Sequence, residues 1–348
     1  MTAATGAARP AVSVSVRDLV VRHDSRRPMI TAVDGVTVDV AAGETLAIIG
    51  ESGSGKSTLL RAIAGLHPPR QGTVTISAGG PAGPGRPSRR RAQVVFQDPD
   101  LALNPRMPVW QSIAEPVAPG RLRIPARLRA EVEPLLREVG LSPALAGRRP
   151  HELSGGQRQR VTIARALASR ASLILFDEPV SAQDVSLQAS LLRLVGRLQR
   201  ERQLTYLVVS HDVTAVAALA DRVGVMYAAK LVEIGPAAEV LARPRHPYTR
   251  ALIAAVPQVA PGRGRASRPL LQGEPPDLAR PPSGCRFRTR CPFAIDQCAS
   301  EEPALQALPS GGAHQAACHR QEDIAAGLAE HGTPELQWFS AESERGGH

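Results

Sequence analysis

Aromatic side chains are scarce in this 348-residue chain: two Trp, three Tyr and five Phe, 3% of the whole. That is little for a protein that binds nucleic acid by stacking bases. Lysine is almost missing, with Lys56 and Lys230 the only two, so arginine carries nearly all of the net charge of +10. Such a balance suits nucleic acid. It also suits an Arg- and Ala-rich composition with a basic surface facing anionic lipid or an acidic partner. No RNA-recognition signature or helix-turn-helix cue accompanies the arginines, so the second reading is preferred and no nucleic-acid partner is expected. No apolar run reaches the roughly 18–20 residues of a membrane-spanning helix, and the opening MTAATGAARP has no charged stretch followed by an apolar one, as a secretory signal would. A cytoplasmic protein is expected, with any pore supplied by other chains. Cysteine is absent before Cys285; the four present, Cys285, Cys291, Cys298 and Cys318, lie in the last quarter. In a reducing compartment they suggest metal ligation before disulfides.

What is present is strongly patterned. Between Val12 and Ile49 come VSVSV, VTVDV and TLAII, β-like runs separated by polar and glycine-containing turns. They predict a small antiparallel sheet leading into a buried strand. A glycine-rich loop and KSTLLRAIAGL follow, with Leu59, Leu60, Ile63 and Leu66 at helical spacing. Ser77 to Arg91 is too rich in Gly and Pro for regular structure and reads as an exposed connection. Trp110 to Arg149 reads as mostly helical, with Leu128, Val132, Leu135, Leu136 and Val139 on one face and Pro134 expected to kink or divide the helix. SLILFDE and TYLVVSHD are continuous apolar runs suited to a parallel sheet buried on both faces, with a helical segment between them. RVGVMYAAKLVEIG reads as a terminal hairpin, and a Pro-rich stretch from Pro236 to Pro282 leads to the cysteines. The expectation is an α/β core. No internal repeat is visible, so a single nucleotide-binding unit is expected.

Three segments carry chemistry. GESGSGKST, comprising Gly50, Glu51, Ser52, Gly53, Ser54, Gly55, Lys56, Ser57 and Thr58, fits G-x-x-x-x-G-K-[ST] between a buried strand and a helix. Its glycines let backbone N–H groups curl around an anion at the positive end of the helix. Lys56 is suited to the β- and γ-phosphates, the Ser57 hydroxyl to Mg²⁺ and Thr58 to a further phosphate contact. SLILFDEP puts Asp177 and Glu178 at the end of an apolar strand, where open α/β sheets bind ligands. Asp177 is placed to hold Mg²⁺ through water and Glu178 to polarise the attacking water. LSGGQRQR precedes VTIARALAS, whose Val161, Ile163, Ala164 and Leu167 suit a buried helix face; Ser154, Gly155, Gly156 and Gln157 then form a helix tip open to a phosphate, or simply an N-cap with a glycine turn.

LSGGQ between a phosphate-binding loop and a strand ending in Asp-Glu resembles the ABC ATPases over roughly Val12 to Pro236. The resemblance implies a P-loop NTPase (RecA-like) core with an N-terminal antiparallel β-subdomain and a helical signature subdomain at about 98–168. It also implies that two nucleotide-binding domains meet head to tail with ATP between the phosphate loop of one and LSGGQ of the other. By the same resemblance Gln97 is the Q-loop glutamine, which contacts Mg²⁺ beside the groove for the permease. His211 is the switch histidine that contacts the γ-phosphate, and Ser181 to Asp184 form the D-loop at the dimer interface. The family commonly stacks adenine on an aromatic residue shortly after the first strand; His23 stands there, offering less area and a titratable ring.

HPYTRALIAAVP, GEPPDLARPPSGCRFRTRCPFAIDQC and AACH resemble the extension of oligopeptide and dipeptide importer ATPases, a group that includes nickel and glutathione systems. VVFQDP, HELSGGQRQR and SAQDVSLQ are closer to the second of the two ATPase subunits such importers usually encode. The division expected is 1–240 for the ATPase domain and 241–348 for a Cys-containing C-terminal extension. The implied partners are a sister ATPase subunit (a homodimer being the alternative), two integral-membrane permeases and, indirectly, an extracytoplasmic solute-binding protein. The implied location is the cytoplasmic face of the plasma membrane. The cysteine spacing C-x5-C-x6-C-x19-C lacks the C-x2-C of zinc ribbons. In this group it is similar to a pattern that binds a [4Fe–4S] cluster, with zinc and unmetallated thiols as alternatives.

Overall fold

The computed structural model describes residues 11–23, 29–78, 92–119, 124–179, 185–256, 273–307 and 311–330. The SAQD segment, with Asp184, and most of the Gly/Pro-rich connection before Arg91 lie outside them.

The chain opens with β1 (Val12–His23) and β2 (Ile30–Val40), which pair antiparallel, and continues through β3 (Thr45–Ile49) into α1 (Lys56–Ile63). Strand β4 (Gln71–Ala78) returns antiparallel to the other side of β1, giving the small sheet β2-β1-β4. Then follow β5 (Ala92–Val95), α2 (Pro99–Ala102), α3 (Val109–Ala114), α4 (Leu128–Glu138), α5 (Gly155–Ala168), β6 (Leu173–Asp177), α6 (Val185–Arg202), β7 (Thr205–Ser210), α7 (Val213–Leu219), β8 (Arg222–Tyr227) and β9 (Lys230–Pro236). Beyond β9 come α8 (Ala237–Ala242), α9 (Pro247–Ala254), α10 (Gln297–Ser300), β10 (Gln306–Ala307), β11 (Gln315–Ala316) and α11 (Gln321–Glu330).

The second sheet runs β10-β11-β9-β8-β3-β7-β6-β5. Its centre, β8-β3-β7-β6-β5, is parallel, and β9, β11 and β10 extend it antiparallel. The pleat explains the unbroken apolar runs. Leu46 and Ile48 on β3, Leu173 and Leu175 on β6, and Leu207 and Val209 on β7 face a core shared with β1, β2 and α1. Ala47 and Ile49, Ile174 and Phe176, and Tyr206 and Val208 face a second core shared with α3, α4, α5, α6 and the segment after β9. With helices or sheet on both faces, every position of β3, β6 and β7 is buried, and period-2 alternation disappears from the sequence.

Three expectations need correction. Helix α4 is not divided at Pro134, which sits inside one continuous 11-residue helix; Leu128, Val132 and Leu136 are buried, and this packed face offsets the backbone hydrogen bond that proline removes. The stretch after Pro236 is not merely a connection, since it forms α8 and α9. The His246 side chain accepts from the Tyr248 N–H and caps α9, while Pro247 fills the first position, where no N–H is needed. The hairpin β8–β9 is likewise not terminal to its sheet, because β11 pairs with β9 through Gln315↔Ile234 and Ala316↔Glu233.

Candidate functional site

Three adjacent parallel strands, β3, β7 and β6, deliver their carboxyl ends to one edge of the sheet. The loop Gly50–Thr58 leaves β3, Asp177 and Glu178 end β6, and His211 follows β7. Ligands of open parallel sheets bind at this edge.

The loop needs its glycines. Gly50 has φ +151 and Gly55 φ +106, and a Cβ on either would come within 2.2 Å of the Met226 carbonyl oxygen or 2.1 Å of the Ala32 carbonyl oxygen. Lys56 is buried. Its Nζ donates to the carbonyl oxygens of Gly50 and Glu51, each at 2.8 Å, and lies 3.4 Å from Ser54 Oγ. Burial pulls its pKa down, opposed by Glu178, Asp177 and Glu51. The ammonium is held inside its own loop. Ser52 and Gly53 form the exposed crest of the loop.

Ser57 Oγ donates to Asp177 Oδ1 at 2.7 Å, and the Arg61 guanidinium lies 3.5 Å from the other oxygen of Asp177. A hydroxyl and a nearly buried carboxylate side by side form a hard oxygen donor set, the kind Mg²⁺ takes when it retains several waters. The residues therefore fit that ion.

Glu178 continues the ladder by donating its N–H to Val209 O at 2.9 Å, then turns left-handed at φ 52, a conformation costly for a non-glycine residue. The turn sets Glu178 Oε2 3.2 Å from His211 Nδ1. His211 is 59% exposed and Glu178 19%, so the carboxylate is sheltered while the imidazole faces outward. Gln97 lies exposed two residues past the end of β5, beside β6, where Val95 pairs with Phe176.

His23, the last residue of β1, has Nε2 3.4 Å from Thr58 Oγ1 and packs edge-on to His67 with ring centroids 5.5 Å apart. All three tyrosines, Tyr206, Tyr227 and Tyr248, are buried in the core, so none of them presents an exposed ring.

The glycine-rich helix tip is built as a cap. Ser154 Oγ accepts from the Gln157 N–H at 3.3 Å, and the Gln157 side chain accepts from the Ser154 N–H at 3.0 Å. Gly155 is exposed, with nothing within 4 Å of an added Cβ, whereas Gly156 packs against Leu187. The polar contacts of Ser154 and Gln157 stay within the tip, so the face at Gly155 is open to another molecule.

Three residues at the site were not singled out by sequence. Arg61 joins Asp177, and its place five residues after Lys56 on α1 was the only local hint. Tyr248 and Arg290 come from beyond β9. The Glu51 N–H donates to the Tyr248 hydroxyl at 2.7 Å, and Arg290 holds the Glu51 carboxylate with both terminal nitrogens, at 2.9 and 3.1 Å.

The four cysteines form no disulfide; Cys298 is buried and the others half-buried. Cys285 N–H donates to Cys298 O at 2.9 Å, and burial together with neighbouring sulfurs pushes the thiol of Cys291 up to about 11 and of Cys318 up to about 12. Among the described residues, no group of three or more His, Cys, Asp or Glu side chains is arranged to hold a metal ion. The expected [4Fe–4S] cluster is therefore not supported: burial favours neutral thiols, and the four sulfurs do not close into a ligand set. Nor does any helix of the described residues have the length and apolarity to cross a membrane.

Comparison with known proteins agrees with this geometry. Residues 33–181 match the family described as ABC transporter, and residues 232–298 match the oligopeptide/dipeptide transporter C-terminal region. The chain is 48% identical over 304 residues to a probable peptide ABC transporter ATP-binding protein, y4tS, of Sinorhizobium fredii, covering 86% of this chain and 85% of that one. It is 46% identical over 298 residues to the oligopeptide transport ATP-binding protein AppF of Bacillus subtilis, covering 83% and 89%. Among solved structures, cbiO1 of Clostridium perfringens, part of the ABC transporter complex cbiONQ, aligns with a TM-score of 0.57 at 28% identity over 66% of this chain and 90% of that one. The dimeric ATP-binding cassette MJ0796 bound to ADP and Pi aligns at 0.56 and 27% identity, covering 64% and 98%. With its nucleotide loop, its Asp-Glu strand end and its C-terminal region all matched, this chain belongs to the ATP-binding, ATP-hydrolysing subunits of peptide and oligopeptide ABC transporters.

Proposed function

We propose that the residues at the carboxyl edge of β3, β6 and β7 divide the work of hydrolysis as follows. The N–H groups of Gly53 to Thr58 and the Lys56 ammonium take the phosphates, with the start of α1 adding its positive end. Ser57 and Asp177, with Gln97, hold Mg²⁺, which supplies charge neutralisation at the phosphates when bound. Glu178 accepts the proton of the attacking water, and His211 orients that carboxylate and reaches the γ-phosphate. The observation that carries this division is the left-handed turn at Glu178 beside His211, since a carboxylate held by strained backbone next to an imidazole at this sheet edge is placed for proton transfer. Adenine rests against His23.

The exposed Gly155 tip completes the site of a second ATPase subunit, and Asp184 contributes at the same interface. The partner we infer is a sister subunit of the same family, this chain being the second of the pair, and the ATPase pair works on two permeases from the cytoplasmic face of the membrane. The reading supports ATP-driven uptake of peptides, with the solute selected by an extracytoplasmic receptor. The two units are 1–240 for nucleotide chemistry and 241–348 as the extension.

Glu178→Gln is the decisive variant. ATP hydrolysis should fall at least about 100-fold, the scale of lost general-base catalysis, with MgATP affinity within about twofold of wild type. The variant mixed with its sister subunit should sediment as an ATP-dependent dimer. Hydrolysis near the wild-type rate would remove Glu178 from the proposed role, and ATP-independent sedimentation would remove the shared site.

A further inference from the structure

Glu51 puts a carboxylate in the second position of a loop whose task is to receive a polyanion. Left alone, that charge would repel phosphate and compete for Lys56, whose Nζ already rests on the Glu51 carbonyl oxygen at 2.8 Å. The structure answers it from the far end of the chain. Arg290 is 239 residues away in sequence, and its side chain is only 4% exposed. It grips Glu51 as a two-pronged pair, with Nη1 also 3.4 Å from the Tyr227 hydroxyl and the guanidinium 5.9 Å above the Tyr227 ring.

The mounting is rigid. Tyr227, Tyr248 and Phe287 form a buried aromatic cluster with ring centroids 4.5 to 5.6 Å apart, and Phe287 lies three residues before Arg290. Tyr248 takes the Glu51 N–H, so both the backbone and the side chain of this one loop residue are held from beyond β9. Arg286 anchors the same turn to Asp34 and to the Ala228 carbonyl oxygen. A planar guanidinium set in aromatic packing cannot lose its charge and matches a carboxylate at two points.

We propose that Arg290 is a positioning residue for nucleotide binding: it neutralises Glu51 and keeps that carboxylate away from Lys56, so that the C-terminal region sets the ATP affinity of the phosphate loop in cis. This role differs from that of a mechanical tether in the sign of one double mutant. If Arg290 works by cancelling a charge, removing the charge must restore binding. If it works by holding the loop in place, removing both partners must leave the defect.

The test uses the full chain and equilibrium binding of a fluorescent ATP analogue with Mg²⁺, alongside thermal unfolding. Arg290→Gln should weaken binding about tenfold at low salt, with the deficit shrinking as ionic strength rises, as expected of a like-charge repulsion that salt screens. Adding Glu51→Gln to Arg290→Gln should return affinity to within about threefold of wild type. Arg290→Lys, which keeps the charge and alters the fork, should weaken binding by no more than about threefold. That variant, alone and with Glu51→Gln, carries the test should Arg290→Gln not fold. Wild-type affinity in Arg290→Gln would overturn the proposal. So would a double mutant that binds as weakly as Arg290→Gln, or an Arg290→Lys defect as deep as that of the glutamine variant or unrelieved by Glu51→Gln.

Discussion

Lys56 illustrates how much one side chain depends on its surroundings. Its ammonium is buried, pairs with no carboxylate among the described residues, and is satisfied by two carbonyl oxygens of its own loop. Those are weaker partners than phosphate oxygens, so in the role proposed for Lys56 an incoming triphosphate would gain a charge-assisted contact without having to break an ion pair. Lys56→Ala should raise the dissociation constant for MgATP at least about tenfold, the scale of one charged hydrogen bond, measurable by equilibrium fluorescence or calorimetry. Little change in thermal unfolding is expected without nucleotide. Undiminished affinity would detach the loop from phosphate recognition. At this scale the sequence was highly legible: Gly50 to Thr58, Asp177, Glu178 and His211 each sit beside a strand end named by its own apolar run. Arg61, Tyr248 and Arg290 were not legible, because nothing local distinguishes one arginine among so many, and their partners lie up to 239 residues away.

At the scale of elements, the phosphate loop is a piece of backbone wedged between two others. A Cβ on Gly55 would run into the Ala32 carbonyl on β2, and one on Gly50 into the Met226 carbonyl on β8. Gly55→Ala should be doubly penalised, by φ +106 and by a 2.1 Å approach to backbone that cannot swing aside. A loss of about 2–4 kcal/mol in urea unfolding and of ATP binding is expected. Gly53→Ala is the control: its φ is +79, but the space around it is open, so the cost should be near 1 kcal/mol. Equal losses in the two variants would mean that backbone contact is unimportant. Sequence pattern identified β1 and α5 because their burial repeats at strand or helix period, and β3, β6 and β7 because they are unbroken apolar runs buried at every position. It missed α8 and α9, where a high density of proline masks helices that begin on proline or directly after it. Nor did it decide whether Pro134 would divide α4, because the packing that carries the helix past a missing hydrogen bond is tertiary.

At the scale of the whole molecule, the C-terminal region is fastened to the ATPase sheet by a buried carboxylate. Glu233 on β9 is fully buried, accepts from the N–H groups of Arg245 and His246, and lies 2.6 Å from His314 Nε2 just before β11. His246 itself is buried, and desolvation pulls its pKa down to about 4, only partly opposed by Glu233. The unfolded chain therefore binds this proton first as pH falls. Folding stability should be complete above about pH 6.5 and decline as pH falls towards 4, by on the order of 3 kcal/mol from this group. Urea midpoints between pH 7 and pH 4.5 measure the decline, and His246→Gln should flatten it. An unchanged slope in that variant would assign the acid sensitivity elsewhere.

The sequence by itself determined the nucleotide chemistry. The loop, the Asp-Glu strand end and the capped Gly155 tip are each contiguous, and their conformations follow from glycine freedom, apolar runs and helix capping within a few residues. Only the tertiary structure decided what the C-terminal region does to that site. It brings Arg290 and Tyr248 onto Glu51, and it leaves the four cysteines outside any metal-holding group among the described residues. Both outcomes depend on distances between segments far apart in the chain, which sheet pairing and core packing set and which no local run of residues encodes.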